Sequence, residues 1–169
     1  MDGNWNIDVK VGELPEKIAS AIPELAGATY DPIAYLGNDA NNHAILAVQH
    51  ETTEDASNNI VVMIFAENDM SVSLTDIKKV LKGTSGEGGI IIDVDSDLPA
   101  DANDLFDKAL HNFVGSVVKP FALLATQITD RVKFYFAVEI TPVTEVPVKH
   151  VSIVTIDSAN GTVHFKDIL

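Results

Sequence analysis

The fold is decided by a stretch that occurs twice in this sequence. The first copy reads Gly27-Ala-Thr-Tyr-Asp-Pro32-Ile-Ala-Tyr-Leu36, and the second reads Gly115-Ser-Val-Val-Lys-Pro120-Phe-Ala-Leu-Leu124. Each copy places a glycine, then a proline, then a short apolar run that is typical of a β-strand.

Further matches flank this stretch in the same order. They pair Ile7-Asp-Val9 with Ile92-Asp-Val94, Leu14-Pro15 with Leu98-Pro99, Ala47-Val-Gln49 with Ala137-Val-Glu139, and residues 72–77 with residues 163–168. The offset between the copies grows along the chain, as small loop insertions in the second copy would produce. The sequence therefore predicts an internal duplication, with a first repeat at residues 1–83 and a second at residues 84–169.

Each repeat has the same predicted order of elements. A short strand (5–11 or 89–94) is followed by a Leu-Pro turn and a helix, and Gly27 and Gly115 are interpreted as helix C-caps. Pro23 is expected to shorten the first helix. The second helix is predicted from the apolar stripe formed by Leu105, Phe106, Ala109, Leu110, Phe113 and Val114.

Further strands complete each repeat, at residues 31–36, 43–50, 59–66 and 71–74, and at residues 119–128, 132–141, 150–157 and 161–166. Residues 75–82 are interpreted as a short linking helix, and the glycine-rich residues 83–89 as a linker. Short connections favour antiparallel neighbours. The predicted fold class is α+β, with two tandem units that each pack a helix on a curved antiparallel sheet of four to five strands.

The order strand, helix, four antiparallel strands resembles the cystatin family, over residues 101–168 and more faintly over residues 14–77. Cystatins carry a Gln-x-Val-x-Gly hairpin where this sequence has Gln127-Ile128-Thr129-Asp130-Arg131, so only the glutamine matches. The next hairpin, Ser158-Ala-Asn-Gly161, has no counterpart of the cystatin Pro-Trp pair. The resemblance implies a scaffold that binds proteins through its hairpins, with the inhibitory motifs not kept.

Composition narrows the choice of partners. The net charge is −14, from 25 acidic and 11 basic residues, and no basic cluster exceeds Lys78, Lys79 and Lys82. Nucleic acids and anionic membranes both require a basic face, so neither is expected as a partner. The chain has no cysteine. The polar N-terminus and the lack of a long apolar run lead us to expect a cytoplasmic protein.

Two groups of residues are candidate sites. The hairpin residues Gln127, Ile128, Thr129, Asp130 and Arg131, together with the single tryptophan, Trp5, are candidates for partner binding. Asp93, Asp95 and Asp97 alternate along a strand and resemble the start of a calcium loop, although Leu98 stands where such a loop needs glycine. The alternative is a solvated strand end. No cofactor is expected.

No catalytic constellation emerges, so the sequence favours a non-enzymatic protein that binds a protein or peptide through loops or a sheet surface. A small-ligand binder with a cavity between helix and sheet is one alternative, and a protease inhibitor is another. Unpaired edge strands would also allow a homodimer. The sequence leaves the arrangement of the two repeats open.

Overall fold

The computed structural model describes residues 5–25, 27–51 and 58–169, and the chain forms two compact units, unit 1 (Met1–Thr84) and unit 2 (Ser85–Leu169). Each unit contains one five-stranded antiparallel sheet and one short α-helix. The α+β composition and the two sheet units predicted from the sequence are therefore present.

Unit 1 contains β1 (Asn6–Val11), α1 (Glu16–Ala21), a 3₁₀ turn (Ile22–Glu24), β2 (Ala28–Asp39), β3 (Asn42–Glu51), β4 (Asn59–Glu67) and β5 (Val72–Lys82). The strands lie in the order β1-β2-β3-β4-β5. The first helix begins after Pro15, whose φ of −55° suits a helix start. It ends before Pro23, as expected of a residue without a backbone donor.

Unit 2 contains β6 (Ile90–Asp95), α2 (Ala100–Ala109), β7 (Ser116–Ile128), β8 (Val132–Pro142), β9 (His150–Asp157) and β10 (Val163–Asp167). The strands lie in the order β10-β9-β8-β7-β6, so the opening strand is again at one edge of the sheet. Pro99 stands before α2 with a φ of −56°, as Pro15 does before α1.

Strand register shows how closely the units correspond. Ile7 pairs with Gly37 in unit 1 and Ile92 pairs with Ala125 in unit 2, and an irregularity follows each pair before Lys10 and Asp95. The second strand of each unit carries two bulges, which directly follow Pro32 and Tyr35 in β2 and Pro120 and Leu123 in β7. The matched glycine and proline positions in the sequence therefore mark equivalent points of the two sheets.

Two of the sequence matches are out of register. The match of residues 72–77 with residues 163–168 is wrong by two residues, because Leu74 and Val163 face the equivalent residues Phe65 and Ile156. The match of Ala47 with Ala137 is wrong by one residue. Pro32 faces Ala47 across β2 and β3, whereas Pro120 faces Val138 across β7 and β8. Ala47 is thus equivalent to Val138 and not to Ala137. The error matters because a shift of one residue in a strand reverses the face on which each side chain lies.

The predicted linking helix at residues 75–82 is also wrong, since these residues belong to β5. Leu74, Ile77 and Val80 are spaced by three, which resembles helical periodicity. In the structure, β5 pairs with β4 through two irregularities that each add one residue to β5. The added residues break the alternation of a regular strand, and Leu74 and Ile77 still pack against the core.

The second helix is shorter than its apolar stripe predicted. It ends at Ala109, and Phe113 and Val114 are 43% and 86% exposed. Gly27 and Gly115 are not helix caps, because the caps are Leu25 and Leu110. Both glycines instead precede a long strand with φ of +91° and +92°, a backbone region that favours glycine.

Each unit has its own apolar core. In unit 1 the buried cluster combines Ile18 and Ile22 with strand residues that include Ile45, Met63 and Phe65. In unit 2 it combines Ala102 and Phe106 with Leu123, Phe136, Val138, Ile140, Val154 and Ile156. The rings of Phe106 and Phe136 meet edge to face with centroids 5.1 Å apart.

Candidate functional site

The first predicted binding hairpin forms a tight turn at one edge of unit 2. β7 ends at Ile128 and β8 begins at Val132, and the Thr129 amide donates to the carbonyl of Arg131 at 2.8 Å. The Thr129 hydroxyl donates to the Asp130 carboxylate at 3.1 Å. Ile128 is 57% exposed and is an apolar side chain at the rim of this turn.

Both ends of the Gln127 amide are engaged within the unit. Its nitrogen donates to the carbonyl of Gly88 at 2.9 Å, and its carbonyl oxygen accepts from the Tyr135 hydroxyl at 3.2 Å. The first bond ties the hairpin to the turn that precedes β6. Burial raises the pKa of Tyr135, which keeps this hydroxyl protonated and able to donate.

Arg131 joins the first hairpin to the second. Its guanidinium donates to Asp157 at 3.0 Å, and the other carboxylate oxygen of Asp157 accepts from the amide of Ala159 at 2.9 Å. The Asp157 side chain is only 8% exposed, whereas that of Arg131 is 47% exposed. The amide of Ser158 also donates to the carbonyl of Val132 at 2.9 Å.

These bonds bring together three turns, at residues 86–89, 129–131 and 158–162, and we call this region the unit 2 turn edge. Beside it lies a groove of about 190 Å³, and little of the surface that its lining exposes is polar. The groove is lined by Arg131, Lys133, Thr155, Asp157, Asn160, Thr162 and His164. Within the part of the chain that the structure describes, Lys133 and His164 have no ion-pair partner. The groove is therefore locally basic in an acidic chain.

The other predicted site residues lie elsewhere. Trp5 immediately precedes β1 in unit 1 and is partly buried. Asp93 and Asp95 are exposed on β6, and the Asp95 carboxylate accepts from the backbone amide of Asp97 at 2.9 Å. Among the described residues, no three acidic or histidine side chains converge on a point that could hold a metal ion.

Unit 1 contains a polar row that the sequence reading missed. The Tyr35 hydroxyl lies 2.7 Å from Nδ1 of His43, and Nε2 of His43 lies 3.7 Å from the Glu67 carboxylate. A carboxylate can only accept, so the neutral tautomer with its proton on Nε2 suits Glu67 and leaves Nδ1 to accept from Tyr35. The row joins β2, β3 and β4 through residues distant in sequence, and only the correct register could have revealed it.

The Tyr35 hydroxyl is held in its protonated form. Burial raises its pKa, and the negative charges of Asp8 and Glu67 raise it further. Tyr35 also lines a cavity of about 380 Å³ within unit 1. This cavity is bounded by β1, the turn before α1 and the end of β2, and we call it the unit 1 cavity.

None of the helices among the described residues is long and apolar enough to cross a membrane. No family model, no curated protein and no solved structure matches this chain.

Proposed function

We propose that this protein is a non-enzymatic binding protein that engages a protein or peptide through the unit 2 turn edge of a duplicated, cystatin-like scaffold. The order of a strand, a helix and four further antiparallel strands in each unit supports the scaffold. The participation of helix residues in each sheet's buried cluster supports a helix laid across one face of that sheet.

The observation that carries the proposal is the cross-linking of three turns by side chains. Gln127 ties the first hairpin to Gly88, and Arg131 ties it to Asp157 at the second hairpin. Fixed loops bind better than mobile ones, because less conformational entropy is lost on association. The three cross-linked turns are therefore a suitable surface for a partner to bind.

The groove beside the turns indicates what the partner presents. Lys133 and His164 supply nitrogen donors, and the hydroxyls of Thr155 and Thr162 add further donors. This set matches a carboxylate, such as an acidic side chain or the C-terminus of a peptide. The exposed Ile128 would contact an apolar side chain of the same peptide.

Protease inhibition is the narrower form of this proposal. The turn at residues 129–131 is polar and charged, so a hydrophobic protease cleft would have to desolvate Asp130 and Arg131. A papain-like protease that keeps its full activity at micromolar concentrations of this protein would exclude inhibition and leave peptide binding standing.

Selection from a phage-displayed peptide library tests the proposal. Peptides that bind the native protein are measured again with Lys133→Glu, which reverses one groove charge, and with Lys119→Glu, which makes the same change elsewhere on unit 2. We expect the selected peptides to carry a carboxylate, and Lys133→Glu to weaken binding about tenfold or more. Two results would contradict the assignment of the unit 2 turn edge: an equal loss of peptide affinity in both variants, or no change of peptide affinity in either.

A further inference from the structure

The unit 1 cavity is a second feature, which the proposed partner surface on unit 2 does not use. Its volume of about 380 Å³ falls within the range of small-molecule sites. Every lining residue belongs to unit 1. They are Asn6, Asp8, Lys10, Glu13, Leu14, Pro15, Tyr35 and Asn38.

The walls of this cavity are rich in hydrogen-bond acceptors. Asp8 and Glu13 contribute carboxylates, and Asn6 and Asn38 contribute amide oxygens. Tyr35 is 8% exposed and lines the cavity, and its hydroxyl lies 2.7 Å from Nδ1 of His43. A hydroxyl oxygen has two lone pairs, so it can accept a hydrogen bond as well as donate one. A ligand that forms hydrogen bonds with these lining residues must therefore carry hydrogen-bond donors.

The cavity already attracts one cation of its own. The Lys10 ammonium lies 3.6 Å from the Asp8 carboxylate, and both side chains are more than half exposed. An exposed pair of this kind contributes little stability and is readily exchanged. The position of the Lys10 ammonium therefore shows that a positively charged group can lie beside the Asp8 carboxylate, and Lys10 is not held tightly at that position.

Comparison of the two units shows that the scaffold itself does not require the polar row. The register places Leu123 at the position of Tyr35 and Phe134 at the position of His43. Both unit 2 residues belong to, or pack against, the apolar core. At these two positions unit 1 instead carries a hydrogen-bonded pair, of which Tyr35 lines the cavity, and buried polar groups are costly unless they are satisfied.

We propose that the unit 1 cavity binds an organic cation, an ammonium or guanidinium group, through Asp8, Glu13 and the phenolic oxygen of Tyr35. The cation could belong to a free amine or to a basic peptide side chain, and both present the same donors.

The test is a titration of isotopically labelled protein, followed by the NMR shifts of the amides of Asp8, Tyr35 and Asn38. The probes are agmatine, a blocked arginine peptide, the neutral N-butylacetamide and the anion butyrate. We expect both cations to shift these amides in a saturable way, and the neutral and anionic probes not to. Saturation by agmatine alone would assign a free amine, and saturation by the peptide alone would assign a side chain.

Two substitutions at the cavity should change affinity in opposite directions. Asp8→Asn should weaken binding of the cations about tenfold, the effect of losing one charge-assisted bond, and Lys10→Gln should strengthen it because a competing cation is removed. The matched control is Asp93→Asn, at the position of unit 2 equivalent to Asp8 and also exposed. All three are surface changes whose folding is checked by circular dichroism.

Three results would overturn the inference. The first is an absence of saturable shifts at millimolar cation. The second is an equal loss in Asp8→Asn and Asp93→Asn, which would mean attraction to the overall charge of −14 rather than binding in the cavity. The third is equal affinity for the neutral probe, which would mean that the cavity does not recognise charge. None of these bears on the unit 2 turn edge.

Discussion

Replacing Arg131 by glutamine should loosen the second hairpin of unit 2. Asp157 is 8% exposed, and its carboxylate has two partners, Arg131 at 3.0 Å and the Ala159 amide at 2.9 Å. The substitution leaves one nearly buried oxygen of a charged group without a partner. Such a loss costs about 1–3 kcal/mol.

The exposure of Arg131 places the expected cost in the lower part of that range. Its side chain is 47% exposed, so solvent screens the ion pair and water can reach part of the vacated space. We expect Arg131→Gln to cost about 1–2 kcal/mol, and a double-mutant cycle with Asp157→Asn to give a coupling of about 1 kcal/mol. The reference is the pair Lys149 and Glu139, at 3.4 Å with side chains 45% and 18% exposed, for which we expect about 0.5 kcal/mol or less.

Native-state hydrogen exchange measures this locally. The amides of Ser158 and Gly161 donate to the carbonyls of Val132 and Asp157 at 2.9 and 2.8 Å, so their protection reports the opening of this edge. A cost of 1.4 kcal/mol would lower protection about tenfold. The amide of Val143, bonded to Gly115, serves as the control. If the coupling energy of Arg131 and Asp157 does not exceed that of Lys149 and Glu139, then the Arg131–Asp157 ion pair does not fix the turns.

Three further predictions concern stability. Gly37→Ala should destabilise unit 1 by more than Gly12→Ala. Both glycines have a positive φ, but only at Gly37 would a Cβ collide with the neighbouring strand. Gly12→Ala should cost about 1–2 kcal/mol, and the midpoints of urea unfolding compare the two variants. Phe136→Ala, which empties a fully buried site, should cost about 3–5 kcal/mol in the same assay. Burial and nearby carboxylates raise the pKa of Tyr35, so above about pH 10 its hydroxyl ionises in the unfolded chain before it does in the folded one. The free energy of unfolding should therefore fall as pH rises through the folded pKa, and Tyr35→Phe should reduce that fall.

Local sequence chemistry predicted the parts of the fold that depend on single residues. Pro15 and Pro99 precede their helices with nearly identical backbone angles, and Gly27 and Gly115 share a positive φ although they are not the helix caps that we predicted. Such constraints belong to the residue itself, because proline fixes φ and glycine removes the Cβ. They therefore recur wherever the duplicated sequence recurs, which is why the repeat was visible.

Several of the wrong predictions depend on how the strands pair. Thr75, the lysines at 78, 79 and 82 and Gly83 suit the two ends of a helix, which is the basis of the wrong helix prediction for residues 75–82, whereas pairing with β4 makes these residues a bulged strand. The match of Ala47 with Ala137 missed the insertion of one residue, which the pairing of Pro120 with Val138 reveals. A bulge changes the face of every later side chain, and its position is set by the partner strand rather than by the bulged residues.

The two units carry different side chains at equivalent positions of their sheets. At one pair of equivalent positions the core face carries Tyr35 and His43 in unit 1 but Leu123 and Phe134 in unit 2. In unit 2 the polar side chains Lys133, Thr155 and His164 instead line a groove at the same end of the sheet. Alternation along β8 requires Lys133 to lie on the face opposite Phe134. A cavity rich in acceptors and a groove beside Lys133 and His164 thus occur in two units that share one sheet order, the prolines at 32 and 120 and the glycines at 27 and 115.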